Sequence, residues 1–220
     1  MSATPTLAVE RFAALDATGI VRAAFLTRLS DVDVAVDRET ALARLKPAHD
    51  ALIAGLGFTT PAIAEQVHGN GVAVVNSVSS QPLAGMDGLA TATPALTLGI
   101  YVADCAAIYL VDPRRRAIAL VHSGRKGTEL NILGRTVATM RENFGTHPAD
   151  LVVAVSPCIR PPHYEVDFAA TIAAQAREAG VGAFHDEGVC TASHLDRYYS
   201  YRNEQGRTGR MLALLALDVE

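Results

Sequence analysis

The chain has 220 residues, half of them apolar and 19% charged, with 19 Lys and Arg against 23 Asp and Glu for a formal net charge of −4. Disorder needs low hydrophobicity with high net charge, and neither holds; a chain this long buries about 70% of its unfolded surface and builds a core without staples. The charge is too weak to advertise a nucleic-acid or membrane-surface partner, and without Trp, and with six Tyr not interleaved with basic residues, the sequence disfavours a stacking reader of single strands.

Met1 to Ala17 lacks a basic patch followed by an apolar core, so no secretory leader is expected there. Ile20 to Leu26 is apolar and reads as a strand. Over Glu39 to Gly57, Leu42, Leu45, Leu52, Ile53 and Leu56 recur at helical spacing, and Gly57 closes the pattern. Pro47 inside it predicts a kink or two short helices. His49 falls near the apolar stripe and reads as a half-buried structural histidine. Ala62 to Val67 is the next strand, and Asn70-Gly71 predicts a hairpin whose second arm is Val72 to Val75. Met86 to Thr91 reads as a turn. Leu96 to Ala103 and Ile108 to Val111 are apolar strands; the run from Leu96 to Val111 is broken by Asp104 and is too short to span a bilayer. Arg114-Arg115-Arg116, after Asp112-Pro113, reads as a solvated turn.

Ala117 to Val121 is a further strand. In the segment that follows, Leu130, Leu133, Val137, Met140 and Phe144 mark one face of a helix, with Gly145 placed to end it. Leu151 to Val155 is a buried strand, Phe168 to Ala179 a helix with Asp167 as N-cap and Gly180 as stop, and Met211 to Leu217 a strand. Strands and helices alternate irregularly. The expected fold class is therefore α+β, one domain over residues 1–220, with a mixed β-sheet and helices packed on it. No Gly-x-Gly-x-x-Gly or P-loop pattern follows a strand, so no dinucleotide or P-loop site is expected. Three distant cysteines give no disulfide framework and suit a cytoplasmic, reducing setting.

Three soft-metal ligands stand at strand ends: His68 before a turn, Cys105 after Asp104, and His122 before a glycine turn. Two imidazoles and a thiolate can hold zinc and leave one position open, where a bound water reaches a pKa of about 7. The same residues allow a metal-free alternative, with His122 as general base for a Cys105 nucleophile. The spacing matches no zinc finger and does not decide whether the three meet. Ser123-Gly124-Arg125-Lys126-Gly127-Thr128 places two cations at a helix start; this suits a phosphate or carboxylate, and equally an ordinary solvated turn. His147, His163, His185 and His194 read as loop residues, and Cys158 as a buried sulfur.

At these positions the chain resembles the YfiH family, also called the laccase-domain or polyphenol oxidase family. The matches are Gln66-Val67-His68-Gly69, Asp87-Gly88-Leu89 with Thr91, Ala103-Asp104-Cys105, and His122-Ser123-Gly124 with Gly127. Phe25 with Thr27-Arg28, Pro157-Cys158-Ile159, Tyr164-Glu165-Val166, Tyr199-Ser200-Tyr201-Arg202 and Gly209-Arg210 follow the family pattern in the same order. The resemblance implies zinc, or copper, held by His68, Cys105 and His122 in a mixed α+β fold. It implies a zinc-dependent purine nucleoside phosphorylase with adenosine deaminase and methylthioadenosine phosphorylase activity, taking nucleoside and phosphate and acting as a monomer or small homo-oligomer. Arg28, Arg125 and Lys126 are the cations expected to meet substrate. A metal-independent Cys–His hydrolase linked to peptidoglycan editing and a copper polyphenol oxidase are the alternatives. Three departures stand out: Arg125-Lys126 replaces the family's Trp-Arg, Leu29-Ser30-Asp31-Val32 replaces a glycine-rich turn, and Ala106-Ala107 replaces a stretch that usually carries Pro.

Overall fold

The computed structural model describes residues 8–219, so the first seven residues of the stretch expected to lack a leader lie outside it. In chain order the elements are β1 (Val9–Glu10), α1 (Ala13–Asp16), β2 (Val21–Leu26), α2 (Arg38–Gly55), β3 (Ala62–Ile63), β4 (Val72–Val74), β5 (Gly88–Thr91), β6 (Thr97–Val102), β7 (Ala106–Asp112) and β8 (Ala117–Ser123). They continue with α3 (Arg125–Glu129), α4 (Ile132–Phe144), β9 (Val152–Val155), α5 (Phe168–Glu178), β10 (Ala183–Asp186) and β11 (Met211–Leu217). The fold is mixed α+β, as expected, and its strands divide into two mixed sheets. One is ordered β1-β2-β11-β6-β3 and the other β10-β9-β7-β8-β5-β4. Among the described residues no helix is long and apolar enough to cross a membrane.

Side-chain alternation along the strands explains the layering. On β11, Met211, Ala213, Leu215 and Leu217 join the central apolar cluster, while Leu212, Leu214 and Ala216 face the other way, toward Ile53 of α2 and Phe58. On β8, Ile118 and Leu120 belong to the central cluster, and Ala117, Ala119 and Val121 pack toward Leu133, Met140 and Ile172 of α4 and α5. The two sheets thus share one core and each is covered outside by helix. His122 is the next rung after Ile118 and Leu120 on β8, so it projects at the rim of the core between the sheets.

Three local expectations change. The hairpin at Asn70-Gly71 does not form: β3 pairs parallel with β6 and β4 parallel with β5, in different sheets. The connecting loop is instead gathered by the Asp87 carboxylate, which accepts the backbone N–H groups of Val67, His68 and Gly69. Residues 88–91, read as part of a turn, form β5 between β4 and β8. Gly88 permits that pairing, because a Cβ there would collide with the Val121 side chain. Finally, α2 runs as one helix of 18 residues through Pro47. Both Pro47 and Ala43, whose carbonyl the ring leaves without its helical donor, are exposed, so the missing helical bond falls on the solvent side of α2. Asp167 caps α5 through the Ala170 N–H, and Arg114 and Arg115 lie in the β7–β8 turn, both as expected.

Candidate metal centre

Each of the three expected ligands comes from a different segment of the chain. His68 lies in the loop between β3 and β4, Cys105 in the tight β6–β7 connection, and His122 near the end of β8. Their candidate ligand atoms all lie within 4.8 Å of one another. The two imidazoles meet edge to face, with ring centroids 4.8 Å apart and planes at 83°. The fold brings together residues 37 and 17 positions apart because β8 is central to its sheet and the other two segments are folded over its end.

Two aspartates fix this geometry. The carboxylate of Asp87, fully buried, accepts from His122 Nδ1 at 2.8 Å and from His68 N at 2.9 Å through one oxygen. Its other oxygen accepts from Gly69 N at 2.7 Å and Val67 N at 3.2 Å. It thereby orients the His122 ring, leaving Nε2 for Cys105, and holds the His68 loop in place. Burial pushes the Asp87 carboxyl up, but the hydrogen bonds from His122, Gly69 and His68 outweigh it and hold it below its usual range. Asp104 does the same for Cys105. It accepts from Thr191 Oγ1 at 2.7 Å, Ser200 Oγ at 3.0 Å and Arg202 N at 2.7 Å, tying the β6–β7 connection to the carboxy-terminal loop. Gln66, His68 and Asp104 have φ of 66°, 61° and 77°, a left-handed conformation that costs energy in non-glycine residues and clusters at functional sites. Gln66 holds its turn by bonding both the N–H and the carbonyl of Tyr101.

The donor set fits a soft divalent metal. Burial raises the Cys105 thiol, yet the charges and hydrogen bonds of His122 and His68 outweigh it and bring it down to about 6. Burial lowers the His122 imidazolium, while the Cys105 thiolate and Asp87 overcome that and raise it to about 9. A thiolate stabilised by cations at this place is what a metal cation would also stabilise. Space is reserved for the sulfur: a Cβ on Gly124 would sit 2.5 Å from Cys105 Sγ. Three protein donors would leave a tetrahedral ion one open position, and all three residues line a cavity of about 660 Å³.

The cavity is lined by Tyr101, Tyr164, Phe168 and Tyr201, and by Arg38, Arg125, Arg202 and Arg210. Of the three cations expected to meet substrate, only Arg125 lines it. It is exposed and held by Glu129 at 2.9 Å and more loosely by Glu165 at 4.0 Å. Arg28 is turned away: it pairs with Glu204 at 2.6 Å and stacks over Tyr199, 4.4 Å from the ring centroid. Lys126 is exposed on α3, outside the cavity lining. Sequence reasoning gave no role to Asp87, Arg38, Arg202 or Arg210. The Asp87-Gly88, Tyr201-Arg202 and Gly209-Arg210 matches were the only signals for three of them, and Arg38 carried none that separated it from surface charge. Cys158 is fully buried, as expected.

A family model described as multi-copper polyphenol oxidoreductase laccase matches residues 29–169 and 163–218. A purine nucleoside phosphorylase of Deinococcus radiodurans is 35% identical over 195 residues, covering 76% of this chain and 74% of that protein. A purine nucleoside phosphorylase of Mycobacterium tuberculosis is 28% identical over 179 residues, with 70% of each chain covered. The crystal structure of YlmD from Geobacillus stearothermophilus superposes with a TM-score of 0.83 at 23% identity, over 90% of this chain and 92% of that one. A Bacillus licheniformis protein, YfiH, gives 0.80 at 21% identity, over 90% and 93%. These two structures share the fold.

Proposed function

Since the chain belongs to the multi-copper polyphenol oxidoreductase laccase family, we propose that it is a zinc-dependent purine nucleoside phosphorylase of the cytoplasm, with His68, Cys105 and His122 as its metal ligands. The observation that carries this reading is the convergence of the three donors within 4.8 Å at the wall of one cavity. The naming of the Deinococcus relative supports the choice of reaction.

The cavity volume lies within the about 300–1,000 Å³ typical of small-molecule sites. Its aromatic residues offer faces on which a purine can stack, and Arg202, itself over the Tyr164 ring at 4.7 Å, extends that wall. Phosphorolysis forms a bond between a phosphate oxygen and ribose C1′ while the C1′–N9 bond breaks. The electron pair leaves with the purine, which takes up a proton, and ribose 1-phosphate remains. Arginines at the wall neutralise the phosphate charge and position its oxygen. A bound zinc would supply Lewis-acid polarisation at its open position. Asp87 keeps the His122 ring in one orientation throughout.

Incubating the native protein with inosine and phosphate tests this. Hypoxanthine release should require phosphate, be lost on chelation, and return with zinc; Cys105→Ser should lose both stoichiometric metal and activity. Absence of product from metal-loaded protein overturns the proposal. Activity that survives chelation would favour a Cys105–His122 hydrolase, and copper-dependent oxidation of a phenol would favour the oxidase. Adenosine deamination at the same open position is read in the same assay by ammonia release.

A further inference from the structure

The four arginines that line the cavity differ in how they are neutralised. Arg125 is held by Glu129 and Glu165, and Arg202 reaches Glu165 at 3.1 Å. Arg210 and Arg38 have no carboxylate within ion-pair distance among the described residues. Arg210 is only 8% exposed. One of its terminal nitrogens, Nη1, donates to the carbonyls of Thr208 and Gly209, and this fixes the plane of the guanidinium. Its Nε and Nη2 donors make no hydrogen bond among the described residues. A guanidinium cannot shed its charge at ordinary pH, so a buried one without a counter-ion is an unmet electrostatic demand.

Arg38 deepens that demand. It is the first residue of the 18-residue helix α2, where the helix dipole is already positive and a cation is unfavourable. The Asp37 carboxylate beside it is used by the Thr40 N–H and hydroxyl. Burial first, and then the repulsion of Arg38, holds Arg210 below the usual arginine range, although Tyr201, Cys105 and Asp104 pull the other way. The oxygens of Asp104 are already engaged by Thr191, Ser200 and Arg202. Two like charges left facing one concave space are relieved by an anion between them.

We propose that Arg210 and Arg38 form a phosphoryl-oxyanion subsite on the cavity wall, taking inorganic phosphate as the second substrate of the reaction. Arg210 supplies a guanidinium whose plane is fixed by the Thr208 and Gly209 carbonyls, and Arg38 meets the anion from the exposed end of α2. This assignment rests on the phosphorolysis reading for the identity of the anion, and on the two uncompensated guanidiniums for its place. It replaces Arg28 and Lys126, which the structure places outside the cavity lining.

The test uses the zinc-loaded full chain and its Arg210→Gln and Arg38→Gln variants, with the exposed Arg141→Gln as a charge-matched control. Each is titrated calorimetrically with inorganic phosphate and separately with inosine 5′-monophosphate, and KM is measured for phosphate and for inosine. The expected result is a loss of phosphate affinity of about tenfold in Arg210→Gln and about threefold in Arg38→Gln, with inosine KM moved by less than about twofold. Weakening of the nucleotide arm alone would overturn the assignment of inorganic phosphate to the subsite. Phosphate affinity unchanged in both variants, or inosine KM rising in parallel, overturns the subsite. Arg38 is exposed, so its variant decides the matter if Arg210→Gln does not fold. Wild-type protein that binds phosphate without releasing base would remove the phosphorylase reading and leave the subsite. Phosphorolysis with an unaltered phosphate KM in both variants would do the reverse.

Discussion

Replacing Asp87 by Asn keeps the shape of the side chain and removes its charge and one of its two accepting edges. In the folded protein one edge receives His122 Nδ1 and His68 N, and the other receives Gly69 N and Val67 N. An amide has one oxygen and one NH2 group, so either way it turns, a donor edge faces donors. If the NH2 faces His122, the ring must accept at Nδ1 and carry its proton on Nε2, the nitrogen left for Cys105 and a metal. If it faces the loop, Gly69 and Val67 lose their acceptor beside the His68 ligand. Losing two charge-assisted hydrogen bonds in a buried place costs about 3 kcal/mol, which lowers the melting temperature of a chain this size by roughly 6–12 °C. Metal affinity should fall by about 10–100-fold, the usual cost of removing the carboxylate behind a ligating histidine. Zinc affinity is read by competition with a chromophoric chelator, and unfolding by calorimetry of the metal-free protein. An Asp87→Asn protein that keeps wild-type zinc affinity within about twofold would refute the claim that this carboxylate sets the ligand geometry.

Two further outcomes follow from buried groups. Burial pushes His49 down to about 4, with Asp50 pulling the other way, and neither ring nitrogen has a hydrogen-bond partner among the described residues. The unfolded chain takes up that proton near pH ~6.5 and the folded chain does not. Stability is therefore complete above about pH 6.5 and is lost as pH falls toward 4, by about 2 kcal/mol at about pH 5. His49→Phe, which keeps the packing on Tyr101, should flatten the pH dependence of the urea midpoint; parallel profiles for the two proteins would contradict this. Arg28→Met breaks a half-buried pair with Glu204 and should lower the melting temperature by roughly 4–8 °C while leaving the phosphate KM unchanged. A raised phosphate KM at unaltered stability would return Arg28 to the substrate site.

Much of the fold could be read from the chain because local patterns and tertiary packing agree there. The run from Met211 to Leu217 is apolar at every position because β11 is central in its sheet and buried on both faces. The stripe of Leu133, Val137 and Met140 is the face α4 lays on the sheet. Asn70-Gly71 misled because turn chemistry specifies a reversal of the chain and not the strand's partner. The long-range hydrogen bonds of Asp87 and the pairing of β4 with β5 decided that.

The same division runs through the functional site. Sequence alone determined which side chains can do metal chemistry: His68, Cys105 and His122 are soft donors placed where strands end, and their neighbouring motifs resemble one family. Only the tertiary structure decided that the three donors meet within 4.8 Å, that Arg28 is committed to Glu204, and that Arg210 lines the cavity without a counter-ion among the described residues. The physical reason is that donor chemistry belongs to a residue type, whereas coordination distance and charge compensation belong to pairs of residues that the chain keeps far apart and only the packed sheets bring together.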